Sequence, residues 1–360
     1  MKRLDRYVLT EMVPPFLFGI GAFLAVLVGV QLLYEMLRLI YQQGFPAWAA
    51  LRIFFLELPA FITLTLPMAT VFGSLMAMAR LSSDGELVAM RAGGISIPRI
   101  ALPIVIAGLV ISVVGVTVNE TVVPAAKQRS FEIARDVHST VGAERDLALE
   151  IRDDEDHFER FVHAREFDPD NLTLRDATVL DFTLGPRPEL YTAKMARWQG
   201  QYLILENVEY TRWEDDQQYQ ARLPRMMIPI GRTPEDVERV RKLPDDMSLA
   251  ELQEQARRAD EQGLQAWAHR LRQHYQVRLA LPWACVGFAV LGVALGIQRH
   301  RSSRGIGMGI SLLVIFVYYV IMHTLTLVGE RGVAHPALMA WTPNALLYLV
   351  GTGLLARRAA

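Results

Sequence analysis

Apolar and polar positions alternate in two different ways along the 360-residue chain, and the pattern changes twice. Six runs, Val13–Tyr34, Leu58–Ala79, Ile100–Val118, Leu279–Ile297, Gly305–Val328 and Ala337–Ala356, contain no Asp, Glu, Lys or Arg. A helix rising about 1.5 Å per residue needs about 20 mostly apolar residues to cross about 30 Å of hydrocarbon. The runs therefore predict six transmembrane helices. With their flanks, the spans cover about 13–39, 53–80 and 98–118 in a first half (1–118), and about 279–297, 305–328 and 337–356 in a second (279–360).

The insert between them, 119–278, follows a different rhythm. From about Glu159 to Ile230, short runs rich in Val, Thr, Tyr, Phe and Leu are separated by turn signals. Phe161–Ala164, Leu172–Leu184, Tyr191–Trp198, Tyr202–Trp213 and Tyr219–Ile230 are the runs, and Asp168–Asn171, Gly185–Pro188 and Gly200-Gln201 the breaks. Strands at roughly ten-residue spacing predict an antiparallel sandwich or barrel, with a core over about 145–232. A helical return follows over 234–278. It contains the capping box Ser248-Leu249-Ala250-Glu251 and apolar residues at Leu249, Leu252, Ala256 and Ala259. The fold class is thus a membrane α-helical protein, three spans plus three, with an inserted all-β domain of sandwich or barrel type.

Charge adds the orientation. The formal net charge is −1, yet residues 119–278 hold 23 basic and 31 acidic side chains, and the remainder holds 14 basic and 7 acidic. A 52% hydrophobic content excludes a simple soluble enzyme. With the N-terminus in the cytoplasm, Lys2, Arg3, Arg6, Arg80, Arg91, Arg99, Arg299, Arg301, Arg304, Arg357 and Arg358 all lie inside. Only Arg38, Arg52 and Arg331 lie in the short outer connections. Both termini are expected in the cytoplasm and the acidic insert outside. If the cell has two membranes, the spans lie in the inner membrane and the insert in the periplasm. The basic start and first apolar run resemble a signal peptide, but the run is too long and lacks a small-x-small cleavage site, so an uncleaved anchor is expected.

Chemistry-bearing motifs are sparse. There is no GxxxxGK[ST], GxSxG, HExxH or CxxC, so no catalytic residue, bound cofactor or metal site is expected, and nucleic acid is not an expected partner. Cys285 is the only cysteine and cannot form a disulfide within the chain. His269 and His274, and the run Asp153–Asp156, read as solvated groups rather than metal ligands. The connection Arg80–Ser96 carries a short amphipathic helix, about 82–94, that Ser83 or Asp84 can cap and Gly93-Gly94 can end. Leu87, Val88 and Met90, exposed beside Asp84, Glu86 and Arg91, suit either docking into a partner's groove or a plain connection. Glu35, Arg38 and Arg52, with Glu57 nearby, lie at outer span ends. They are candidates for a charged amphiphile's headgroup or for interfacial anchoring. Gly292-x-x-x-Gly296 and Gly305-x-x-x-Gly309 are faces that allow close helix contact. Pro59, Pro67, Pro103 and Pro282 are kinks or helix starts.

Taken in order, Arg6-Tyr7, Leu58-Pro59 through Leu66-Pro67, the connection Arg80–Ser96, Asn119-Glu120 and Val123-Pro124 form a recognisable series. Leu281-Pro282, Gly292–Gly296, Pro336 and Trp341-Thr342-Pro343-Asn344 continue it. So arranged, the chain resembles the lipopolysaccharide-export permease family, LptF/LptG-type, from Arg6 to about Leu355. The resemblance implies two related permease subunits, or two copies, each with six helices and a periplasmic β-jellyroll, which makes the inserted all-β domain jellyroll-like. It implies a separate cytoplasmic ABC-type ATPase dimer that uses ATP and Mg. The connection after span two would be the coupling helix, with Glu86 matching the family's acidic contact to the ATPase. Lipopolysaccharide or a related glycolipid would pass from a cavity between subunits to the jellyroll and on to periplasmic jellyroll bridge proteins. Arg38 is the nearest match to the basic residues that hold phosphorylated headgroups. An alternative is a membrane-anchored ligand-binding or structural protein with a periplasmic β-domain, not driven by ATP. A secondary transporter would want mid-span carboxylates, and no span has one.

Overall fold

Span one is a single rod with one irregular turn: α1 (Lys2–Leu27), a π turn at Val28–Leu32, and α2 (Leu33–Tyr41). The computed structural model describes residues 2–359 except 42–43, 142–143, 153–157, 169–170, 184–187, 215–216, 231–243, 245–246, 262 and 298–303. Helices α3 (Ala47–Ser83), α4 (Glu86–Ala92) and α5 (Ile97–Val141) complete the first half. After six strands come α6 (Leu249–Glu261), α7 (Gln265–Gly296), α8 (Arg304–Glu330) and α9 (Pro336–Ala359). Among the described residues six helices are long and apolar enough to cross a membrane, over Arg3–Tyr41, Ala47–Ser83, Ile97–Ala134, Gln265–Gly296, Gly309–Glu330 and Pro336–Arg358. The helical membrane class with an inserted β domain holds as read from the sequence.

Helix α7 is the post of the bundle, with 72% of its apolar window buried against 11% for span one and 17% for α8. Small residues make this possible. A Cβ on Gly292 would lie 1.9 Å from Ser74 Oγ and 3.0 Å from the Val71 carbonyl. One on Gly296 would lie 2.6 Å from the Leu75 carbonyl and 2.7 Å from Met78 Cβ. The same argument brings α5 against α7, where Gly108 faces Ala289 and the Cys285 carbonyl. Polar side chains then fix α8 and α9 on the post. Tyr318 donates to Asn344 Oδ1 at 2.8 Å, and Asn344 Nδ2 donates to the Ala280 carbonyl at 2.7 Å. The Gly305–Gly309 face behaves differently. A Cβ on Gly309 would meet nothing within 4 Å among the described residues, so it seats no described helix, and the surroundings of Gly305 lie outside the described residues.

The strands β1 (Glu144–Arg152), β2 (Phe158–Asp168), β3 (Thr173–Asp181), β4 (Glu189–Gln199), β5 (Tyr202–Glu214) and β6 (Gln217–Pro229) form one antiparallel sheet in sequence order. A jellyroll's Greek keys place non-consecutive strands side by side, so the described strands are a meander instead. It is a bent one. No ladder pair forms at Asp146, Arg165, Asp176, Lys194, Asn207 or Pro224, which make one line across all six strands. Asp176 and Asn207 have φ of 49° and 53°, a conformation open to Asp and Asn more than to most residues. At that line the buried face shifts by three residues rather than two, from Ala164 to Phe167, Leu174 to Ala177, Ala193 to Ala196 and Leu205 to Val208. The crease lets both halves keep the same face inward, and one core cluster draws on both. Pro224 sits where a ladder donor is not needed.

Substituting Gly296 by Ala forces the Leu75 backbone to move and is expected to destabilise by about 1–3 kcal/mol, the usual range for overpacking. Thermal melting of the purified chain should fall by several degrees, whereas Gly309→Ala should leave it unchanged.

Candidate functional site

The connection between spans two and three is held by backbone chemistry at both ends. Helix α3 runs through Ser83, and the Asp84 N–H bonds back to the Arg80 carbonyl at 3.0 Å. Gly85, at φ 74°, turns the chain into α4 without a side-chain cap. This corrects the expected cap. Ser83 donates back to the Arg80 carbonyl and to Asp84 Oδ1, and the helix starts at Glu86 rather than 82. At the other end the Gly94 N–H bonds the Arg91 carbonyl at 2.9 Å and the Ile95 N–H bonds the Met90 carbonyl at 3.0 Å. With Gly94 at φ 85° this is a Schellman stop, completed by Met90 and Ile95 packing into one apolar cluster.

The side chains of α4 divide cleanly. Leu87 is 4% exposed and packs among Val8, Met12, Ala77, Leu81 and Ile97. It is an anchor, which corrects the expectation that it is exposed for docking. Val88 is 68% exposed, and Ala89 and Arg91 lie on the same open side. Glu86 accepts a hydrogen bond from the Tyr7 hydroxyl at 2.6 Å. Two ion pairs flank it: Arg80 with Glu11 at 2.7 Å and Arg99 with Asp5 at 2.6 Å. Arg80 also reaches Asp84 at 3.7 Å. The first turns of α1 are thereby tied to α3, α4 and α5 together. These three ties were not legible in the sequence, because each joins residues 69 or more positions apart.

The opposite end of the bundle carries Glu35, Arg38 and Arg52, all on exposed positions. Leu39 and Ile53 share a cluster with Phe45, Ala49 and Val137, which brings the ends of α2, α3 and α5 together. The Arg52 guanidinium stands 5.2 Å from the Trp48 ring centroid, a cation–π contact one helical turn away. Glu57 is not available to a headgroup. It pairs with Lys127 at 2.6 Å, both side chains less than one-fifth exposed. The π turn at Val28–Leu32 lies between this end and the tied end, and such turns break the regular ladder within one helix.

In the β domain, Tyr219, Ala221 and Leu223 of β6 sit opposite Arg212, Tyr210 and Val208, on the face that forms the core. Yet Tyr219 and Leu223 are 53% and 37% exposed. The apolar interior is therefore open along this part of the β6 edge. Its far end is polar. Glu189, 5% exposed, accepts from Tyr191 at 2.6 Å and Tyr210 at 2.9 Å. Burial and then these bonds to Glu189 raise both phenol pKa values. Burial works against ionisation of Asp181, but Thr183 and Arg160 outweigh it and hold its carboxyl below the usual range.

Among the described residues no three His, Cys, Asp or Glu gather to hold a metal ion. His274 contacts Glu330 at 3.2 Å, and Asp153–Asp156 lie outside the described residues. On α6 the reciprocal capping box forms, with Ser248 N–H to Glu251 at 2.8 Å and Glu251 N–H to Ser248 Oγ at 3.2 Å.

Replacing Gly94 by Ala puts a Cβ at a left-handed position, at a cost of about 1–2 kcal/mol. Amide exchange over residues 86–95 is expected to quicken by about five- to thirty-fold, with no change in the strands.

No match was found among curated proteins. Residues 6–357, nearly the whole chain, match the family described as Lipopolysaccharide export system permease LptF/LptG. The six spans and the tied connection between spans two and three thus stand in a chain that belongs to the lipopolysaccharide export permease family, LptF/LptG.

Proposed function

We propose that this chain is the passive transmembrane subunit of an ATP-driven exporter of lipopolysaccharide or a related glycolipid. It sits in the inner membrane with both termini in the cytoplasm and the β domain in the periplasm. A separate ABC-type ATPase dimer hydrolyses ATP with Mg on the cytoplasmic side, and this chain catalyses nothing itself. The observation that carries the proposal is α4. It is a short helix stopped by glycines at both ends, anchored into the bundle by Leu87, with Glu86, Val88 and Arg91 on its outer side. A force applied there passes directly into α1, α3 and α5.

Cargo handling follows from what stays uncovered. The outer half of span one exposes Val26, Val30, Leu33, Tyr34 and Leu37, and α8 exposes Leu312, Leu313 and Phe316. These faces suit a second related permease, or a second copy, with the acyl chains of the cargo between the two. Arg38 and Arg52 stand at the level where a phosphorylated or glycosylated headgroup would arrive from the outer leaflet. The open β6 edge supports onward passage of the apolar part into the β domain, then to periplasmic jellyroll bridge proteins.

Exchanging Glu86 for Arg reverses the charge at the expected ATPase contact, and like charges brought together across an interface cost several kcal/mol. Co-purification of the ATPase should fall at least tenfold, whereas Tyr7→Phe, which removes the same Tyr7–Glu86 tie but keeps the charge, should retain it. Full ATPase binding and unchanged ATP hydrolysis in Glu86→Arg would remove α4 from the coupling role.

A further inference from the structure

A groove of about 570 Å³ runs between α1 and α5 on the side away from α3 and α7, at the end of the bundle where the N-terminus lies. Both helices start at this end, so they run parallel. The walls are apolar: Leu9, Val13 and Phe16 from α1, and Leu102, Ile106 and Val110 from α5. Met12 closes the floor at 2% exposed, while Val13, Leu102, Ile106 and Val110 stand 47–56% exposed along the rim. The lining extends from Asp5 to Phe16 and from Arg99 to Ile111. At about 1.5 Å per residue that is roughly 17 Å, close to the ~15 Å hydrocarbon depth of one leaflet.

We propose that this groove holds one acyl chain of an anionic glycerophospholipid from the leaflet nearest the N-terminus. Size decides against a helix. A helix of that length is a cylinder about 10 Å across, which is more than twice the groove's volume, whereas an extended hydrocarbon chain is slimmer. Charge at the mouth selects the headgroup. Asp5 and Arg99 form an ion pair, with a hydrogen bond from Arg99 Nη2 to Asp5 Oδ2 at 2.9 Å and an Nη1–Oδ1 approach of 2.6 Å, so the two charges offset each other. Arg6 stands three and seven residues before Leu9 and Val13, and so on the groove's edge. Its guanidinium is exposed and has no acidic partner among the described residues. A phosphate at headgroup level would meet Arg6 and the outer donors of Arg99. This site lies in the opposite leaflet from the proposed cargo path and does not depend on it.

The test uses the full chain in nanodiscs of phosphatidylethanolamine and phosphatidylglycerol. A trace of phosphatidylglycerol carries a photoactivatable diazirine in its acyl chain. Labelled peptides should concentrate at least fivefold on 5–16 and 99–111 relative to the exposed face of α8 around Leu312 and Phe316. Ile106→Trp, which fills the groove, should abolish the excess. Leu102→Trp and Val110→Trp on the same rim serve if the first variant melts early. Arg6→Glu should lower labelling by the phosphatidylglycerol probe several-fold and leave a phosphatidylethanolamine probe unaffected. Even labelling of groove and α8, or an excess that survives the Trp variants, would overturn the proposal. So would cross-linking from Ile106 to a second protein chain in place of lipid. Neither ATPase nor glycolipid is present, so the result is independent of the export reading.

Discussion

Backbone contact between α3 and α7 is the constraint on which the rest of the molecule depends. Lipid tails are as apolar as leucine, so burial in a bilayer gives little drive for one helix to choose another. Close approach supplies it. The Leu75 carbonyl can reach the surface of α7 only because position 296 has no side chain, and Ser74 fits only over Gly292. Once α3 and α7 are joined, α5 closes on the same post at Gly108, and α9 is fixed to it through Asn344. Span one and α8 are left at the periphery, with much of their apolar surface uncovered. A rigid centre with two open flanks suits the proposed role, in which force is transmitted and a partner subunit is met.

The polar ties at the N-terminal end extend that rigidity to α4. Tyr7, Glu11 and Asp5 lie on the first turns of one helix and reach three different elements. Span one is fastened there, and beyond the π turn Leu33, Tyr34 and Leu37 face outward while Leu39 packs against the ends of α3 and α5. The β domain solves a comparable problem by other means. The described strands form a single meander with one face to bury, and no second sheet lies among them to cover it. Residues on both sides of the crease through Asp176 and Asn207 share one core cluster, and β6 leaves part of the inner face open.

The number of spans and the insertion of a β domain were readable because both rest on local periodicity. So was the capping box on α6, whose two reciprocal bonds involve residues only three apart. Contacts between distant residues were not readable. Leu87 looked exposed because its neighbours are charged, yet its partners Val8 and Ile97 come from other helices. Glu57 seemed a lone interfacial acid until Lys127, 70 residues on, was found beside it. Two identical Gly-x-x-x-Gly spacings proved different, since packing depends on which face a neighbour occupies. Strand β1 carried a signal in the alternation of Leu147, Leu149 and Ile151 with charged residues. The crease carried none in its hydrophobicity, being written in left-handed Asp and Asn.

Central to this view is that ATP hydrolysis on one side of the membrane loads the β domain on the other. Site-specific photo-crosslinking from Leu223 on the open β6 edge, in membranes containing the ATPase and lipopolysaccharide, measures it most directly. Glycolipid should be captured when ATP is hydrolysed and not with a non-hydrolysable analogue. Equal capture in both conditions would contradict an ATP-driven relay through this domain.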